Sequence, residues 1–147
     1  MTTDQTTDTA ARLRAVIFKL SRRLRRTAAG HGLSLTRVSV LSTIVRDGSI
    51  GITALARRED LNPTMLSRAL GELADQGLVR KVPDPYDRRA ALIEPTDDGR
   101  ALYEQIQHER VDLLNVQLAD LTAEEHELVE RALPVLEAMT EDLKHRC

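Results

Sequence analysis

Residues 62–90 gather the side chains in this chain best suited to reading duplex DNA. Arg68 carries a guanidinium that can hold a guanine edge by two parallel hydrogen bonds, while Thr64 and Ser67 carry hydroxyls that reach bases or phosphates. Some twenty positions on, Asp87, Arg88 and Arg89 sit in a run rich in proline and aspartate, 83–89. Arginines on such a tip can reach phosphates or a narrow minor groove, and an ion pair from Asp87 can hold one of them in position.

These groups need a helix and a hairpin to present them. Asn62 is a favoured helix cap, and Pro63 follows at the first helical position, where a missing N–H costs nothing. Leu66, Ala69, Leu70 and Leu73 recur at helical spacing and form the buried stripe. That leaves Pro63, Thr64, Ser67, Arg68 and Gly71 facing outward. Gly77 stands where the chain must turn left-handed, with Leu78 as its apolar partner. Gly71, mid-helix, costs about 1 kcal/mol relative to alanine, which the close approach of another backbone, protein or DNA, would explain, and simple sequence drift equally well. Residues 79–82 read as a strand, 83–89 as a tip and 90–94 as the returning strand.

The elements on either side are helical. A helix is expected over 8–29, after a frayed 1–7, with Leu13, Val16, Ile17, Leu20 and Leu24 as its apolar stripe and seven lysines and arginines elsewhere on its surface. A second covers 36–46, with Val38, Leu41, Ile44 and Val45 inward. Residues 50–52 form a brief extended piece, and Thr53 caps a short helix to 59 with Leu55 and Ala56 inward. Thr96 caps a long helix to about 119 with an apolar face of Leu102, Ile106, Leu113 and Leu114. Thr122 and Glu125 form a capping box for the last helix. Its stripe runs through Leu128, Ala132, Val135, Leu136, Met139 and Leu143, with a kink expected at Pro134.

The fold class that follows is mostly α with a small β-hairpin wing. A winged helix-turn-helix over 35–95 is flanked by an N-terminal dimerisation helix, 1–34, and by C-terminal dimerisation helices, 96–147. Each flanking helix has an apolar stripe that a small winged domain cannot cover.

Composition narrows the function. Aromatic residues are 2% of the 147, namely Phe18, Tyr86 and Tyr103, so the core must be aliphatic. The net charge of −2 conceals a gradient. Residues 1–34 hold seven basic and two acidic side chains, whereas 96–147 hold five basic and thirteen acidic. Nucleic-acid binding depends on the local field rather than the total, so it stays open. No apolar run approaches the ~20 residues of a membrane-spanning helix, and the N-terminus lacks the pattern of a signal peptide, so a cytoplasmic protein is expected. Cys147 is the sole cysteine, which rules out a disulfide within the chain. An enzyme finds no support: there is no glycine-rich phosphate loop and no nucleophile with a base and an orienting group. His31, His108, His126 and His145 are scattered, with only Glu104 and His108 one turn apart, so neither a metal site nor a cofactor is expected.

Residues 33–99 resemble the multiple antibiotic resistance regulator (MarR) family of bacterial transcription factors. The matching pieces are Leu66-Ser67-Arg68, Gly77-Leu78-Val79, the wing run from Asp84 through Pro85, Tyr86, Asp87, Arg88 and Arg89 to Ala90, and Thr96-Asp97-Asp98-Gly99-Arg100. The sequence departs from the family where a Leu-Thr pair commonly closes the wing. It has Glu94-Pro95-Thr96 there, so a shorter second wing strand is expected.

The resemblance implies a homodimeric regulator of transcription, more often a repressor, on a pseudo-palindromic operator. It implies recognition helices in successive major grooves and wing arginines in the flanking minor grooves. Carried over by motif, Arg89 is the minor-groove arginine, Asp87 its orienting partner, and Thr64, Ser67 and Arg68 the base and phosphate readers. It further implies dimer contacts through Leu13, Ile17, Leu128, Leu136 and Met139, and release by a small-molecule effector held between the dimer helices and the winged domain. Neither the identity of that effector nor its pocket residues can be read from the sequence. Cys147, far from the first helix, does not suit the redox-responsive class. The rival readings are a winged-helix module that binds an acidic protein partner, and a metal- or redox-responsive variant of the regulator.

Overall fold

The computed structural model describes residues 3–144, with side chains from 5 to 143. His145 and Cys147 lie outside the described residues. The elements run α1 (Thr3–Ala29), α2 (Leu35–Asp47), β1 (Ile50–Gly51), α3 (Ile52–Glu59), α4 (Pro63–Asp75), β2 (Val79–Pro83), β3 (Ala91–Pro95), α5 (Asp97–Ala119) and α6 (Ala123–Lys144). The chain clusters into two compact units, one up to Arg110 and one from Val111.

In the first unit the core is aliphatic. Leu41, Ile44, Leu55, Leu66, Leu73 and Ile106 are fully buried, so helices α2, α3, α4 and α5 all contribute to one cluster, joined by Ile50, Leu78, Val79 and Ile93 from the strands and their approaches. Tyr103 packs at its margin. The inward positions expected for the helices over 36–46, 53–59 and 62–76 are all buried or half-buried. A carboxylate braces two of these helices: Glu59 accepts from the Ser39 hydroxyl at 2.6 Å and from the Thr43 hydroxyl at 2.5 Å.

The wing is part of a three-stranded antiparallel sheet ordered β1-β3-β2. Ile50 and Gly51 pair with Ile93 and Leu92, so the brief extended piece is a third strand that anchors the hairpin to the helical body. This pairing also corrects the start of α3. The chain stays extended through Gly51, which caps the helix without a side-chain bond, and Thr53 lies inside the first turn instead of capping it. The second wing strand is not shortened. It has five residues, matching β2, and its register runs from Ala91 opposite Pro83 to Pro95 opposite Val79. A proline at the last rung gives up at most one ladder bond, and Pro95 is buried.

Helix α1 is helical from Thr3, where fraying to residue 7 was expected. No glycine or proline interrupts 3–29, and the Thr9 hydroxyl donates to the Gln5 carbonyl at 2.9 Å. At its far end, His31 Nε2 lies 3.0 Å from both carboxylate oxygens of Glu109 on α5. The Gln105 amide also donates to Glu109, at 3.2 Å. The hydrogen bond to His31 is the main reason that the Glu109 carboxyl is held below its ordinary pKa.

In the second unit, the reciprocal capping box forms as expected. The Thr122 N–H donates to the Glu125 carboxylate at 2.9 Å and the Glu125 N–H to the Thr122 hydroxyl at 3.2 Å. The Thr122 N–H, and next the Thr122 hydroxyl that donates to the same carboxylate at 3.1 Å, hold the Glu125 pKa below its ordinary value. Helix α6 continues through Pro134 to Lys144. Among the described residues, no helix is long and apolar enough to cross a membrane.

Candidate nucleic-acid interface

Helix α4 is framed as its sequence dictates. The Asn62 side-chain oxygen accepts from the Met65 N–H at 2.8 Å, satisfying one of the orphan donors of the first turn, and Pro63 takes the first helical position. At the other end Gly77 has φ +72°. Its N–H donates to the Ala74 carbonyl at 2.9 Å, and the Leu78 N–H to the Leu73 carbonyl at 2.9 Å. These are the two bonds of a Schellman ending, closed by burial of Leu73 and Leu78.

With Leu66, Ala69, Leu70 and Leu73 turned inward, Pro63, Thr64, Ser67, Arg68 and Gly71 are all exposed. Nothing lies within 4 Å of where a Gly71 Cβ would sit, so no protein backbone accounts for the mid-helix glycine.

The wing tip is built by two aspartates. Asp84 accepts from the Tyr86 N–H at 2.8 Å and its own N–H donates to the Ala90 carbonyl at 3.2 Å. Asp87 accepts from the Arg89 N–H at 2.9 Å. The expected ion pair from Asp87 is therefore replaced by a backbone bond: a short carboxylate capturing the amide two residues on is the ordinary way aspartate sets a turn. Asp87 shapes the backbone that carries Arg89 and leaves its guanidinium unclaimed. Arg88 and Arg89 are exposed, and among the described residues no ion pair engages either.

Sequence reasoning missed two charged residues, one on α4 and one beside it. Glu72, one turn beyond Arg68, accepts from Arg68 Nε at 3.3 Å through one oxygen and pairs with Arg37 Nε at 3.1 Å through the other. Arg37 comes from the first turn of α2, where its Nε also donates to the capping hydroxyl of Ser34 at 3.2 Å. Ser34, Thr36, Arg37, Met65, Arg68, Ala69 and Glu72 together line a shallow recess of about 290 Å³. The spacing of Arg68 and Glu72 is legible in the sequence; the meeting with Arg37 requires α2 to pack against α4.

A larger cavity of about 440 Å³ lies among α3, α4 and the sheet. Its lining is mainly apolar, including Ile52, Leu66, Leu70 and Ile93, with Arg80 and Lys81 among its polar members. Arg80 is held by Glu94 across the ladder at 3.1 Å. Among the described residues no three His, Cys, Asp or Glu side chains converge as metal ligands, and Glu104 and His108 are both exposed.

This geometry has clear counterparts. Residues 33–91 match the family model described as the MarR family. Over 90% of its length the chain is 30% identical to an uncharacterized HTH-type transcriptional regulator of Mycobacterium bovis, covering 93% of that protein. The chain belongs to the MarR family. As a member it is a winged helix-turn-helix transcription regulator and not an enzyme. The structure of wild-type apo MarR from E. coli superimposes with a TM-score of 0.73 at 27% identity, covering 86% of this chain and 94% of that one. A mutant MepR from S. aureus, bound to an oligodeoxyribonucleotide, shares the fold with a TM-score of 0.70 at 16% identity, covering 90% of this MarR-family chain and 97% of that one.

Proposed function

We propose that this MarR-family chain is a homodimeric repressor that binds a pseudo-palindromic operator in double-stranded DNA. Helix α4 enters the major groove, with Pro63, Thr64, Ser67 and Arg68 meeting bases and phosphates. The wing lays Arg89 into the flanking minor groove, with Arg88 beside it and Asp87 setting the turn. The observation that carries this reading is the pairing of an exposed, polar α4 face with two exposed wing arginines that, among the described residues, no carboxylate neutralises. The oligonucleotide bound by the MepR structural neighbour supports the same partner.

The dimer reading rests on apolar faces left bare. Val16, Ile17, Phe18 and Leu20 on α1 are 46–59% exposed, and Leu128, Leu133, Leu136 and Met139 on α6 are 37–63% exposed. Large apolar side chains bared in such numbers mark an interface. Leu13, Ile17, Leu128, Leu136 and Met139 are the contacts assigned to it. Doubling sets two half-sites about 34–36 Å apart. Release of the operator by a small amphipathic effector, held between the dimer helices and the winged domain, belongs to the same reading. A cytoplasmic location goes with this role.

The test is selection of duplexes from a random pool by the purified protein, with affinity for the enriched sequence measured at two salt concentrations. A two-fold symmetric motif and a steep fall of affinity with salt are expected. Absence of enrichment, with binding instead to acidic protein partners, would replace this reading with a protein-interaction module.

A further inference from the structure

We infer that Glu72 is a specificity determinant that suppresses binding to random DNA. This inference rests on the DNA-binding reading above. Glu72 is the single carboxylate in a recess whose other polar lining is the hydroxyls of Ser34 and Thr36 and the guanidiniums of Arg37 and Arg68, and it holds both of those guanidiniums at once. The two partners differ. Arg37 is only 21% exposed and is also tied to Ser34, whereas Arg68 is 83% exposed and bound to Glu72 by one long contact.

That asymmetry gives the carboxylate a selective effect. Any phosphate approaching this face meets a negative charge, and any guanidinium that turns to a phosphate must first leave Glu72. On an operator, the mobile Arg68 exchanges its weak contact for a two-pronged bond to a base edge, a gain large enough to offset the loss. Glu72 remains compensated by the better-held Arg37, so no charge is stranded. On random DNA there is no such bond to gain: Arg68 either stays on Glu72 or leaves it for a single phosphate, so the cost of parting from the carboxylate is not recovered. Glu72 therefore weakens both complexes but widens the ratio between them, which is how a repulsive element produces specificity.

The experiment compares wild type, Glu72→Gln and Glu72→Asp on the duplex enriched by wild type and on a scrambled duplex of equal length, across a salt series. Glu72→Gln should raise scrambled-duplex affinity roughly three- to tenfold, the scale of releasing two surface ion pairs. Its salt dependence should steepen by about one ion, and operator affinity should rise less, so the ratio narrows. Glu72→Asp keeps the charge and should restore most of the wild-type ratio. An unchanged ratio in Glu72→Gln overturns the inference while leaving DNA binding intact. So does a loss confined to operators with cytosine at one position, which would make Glu72 a direct base reader. A wild type that enriches no duplex overturns the DNA reading and this inference with it.

Discussion

A methyl group at Gly99 would lie 1.9 Å from the carbonyl oxygen of Leu78. The first turn of α5 is pressed onto the backbone that leaves the end of α4, and only glycine permits the approach. The Thr96 N–H donates to the same Leu78 carbonyl at 3.1 Å, the Thr96 hydroxyl donates to the Gly77 carbonyl at 2.5 Å, and the Gly99 N–H returns to the Thr96 hydroxyl at 3.0 Å. This knot joins the exit of α4, the close of the wing and the start of α5.

Gly99→Ala should therefore be among the most damaging small substitutions in the chain. Backbone atoms cannot rotate aside as a side chain can, so a loss of about 1–3 kcal/mol or more is expected from overpacking. Equilibrium denaturation checks it; a midpoint unchanged from wild type would mean that α5 shifts freely on Leu78.

Gly71→Ala should do the opposite. Its Cβ meets open space, so replacing a mid-helix glycine should stabilise the fold by up to about 1 kcal/mol. Operator affinity should fall at the same time, because the added methyl group projects from the face assigned to DNA. A variant that is more stable and binds as tightly as wild type would remove any role for Gly71 at the interface.

Asn62→Ala removes the acceptor for the Met65 N–H and should cost about 1 kcal/mol. Thermal unfolding reads this directly. Asn62→Asp, which retains an acceptor, should recover most of the loss.

Arg89→Ala should weaken operator binding and reduce the salt dependence by about one ion without altering the melting temperature. Asp87→Ala should also weaken binding, by loosening the turn bonded to the Arg89 N–H, yet leave the salt dependence near wild type because Arg89 is still present. Equal salt slopes for Arg89→Ala and wild type would move the phosphate contact to another residue.

The Glu109 carboxyl has a lowered pKa, chiefly through its hydrogen bond to His31. A depressed carboxyl pKa means that the folded state favours the ionised form. Its contribution is complete above the unfolded pKa and disappears as pH falls through the lower folded value. Stability should thus decline on acidification below the ordinary glutamate range, and Glu109→Gln should flatten that part of the profile. Parallel acid profiles of the two proteins would show that the pair is energetically silent.

What the sequence made legible was local. The cap at Asn62, the proline after it, the left-handed turn at Gly77 and the Thr122–Glu125 box are each written in residues a few positions apart, and each forms. The inward stripes of α2, α3 and α4 follow from helical period alone. What escaped was long-range or depended on competing acceptors. Glycine's necessity at 99 comes from a carbonyl twenty-one positions upstream. Thr53 looked like a cap because the pairing of Gly51 with Leu92 is invisible in one segment. Asp87 has two adjacent guanidiniums and an amide to choose from, and charge pattern does not reveal that the amide is the one bonded. Arg37 lies thirty-five positions from Glu72 and meets it only through packing.

The scarcity of aromatic residues has a practical outcome. With no tryptophan and two tyrosines, the intrinsic ultraviolet emission of this protein comes from Tyr86 and Tyr103. Tyr86 stands on the wing tip, 97% exposed and one residue from Asp87, while Tyr103 is half-buried at the core margin. The chain thus carries its own pair of optical reporters, one at the far end of the wing and one against the interior. In a Tyr103→Phe background, every photon emitted by tyrosine would come from the wing.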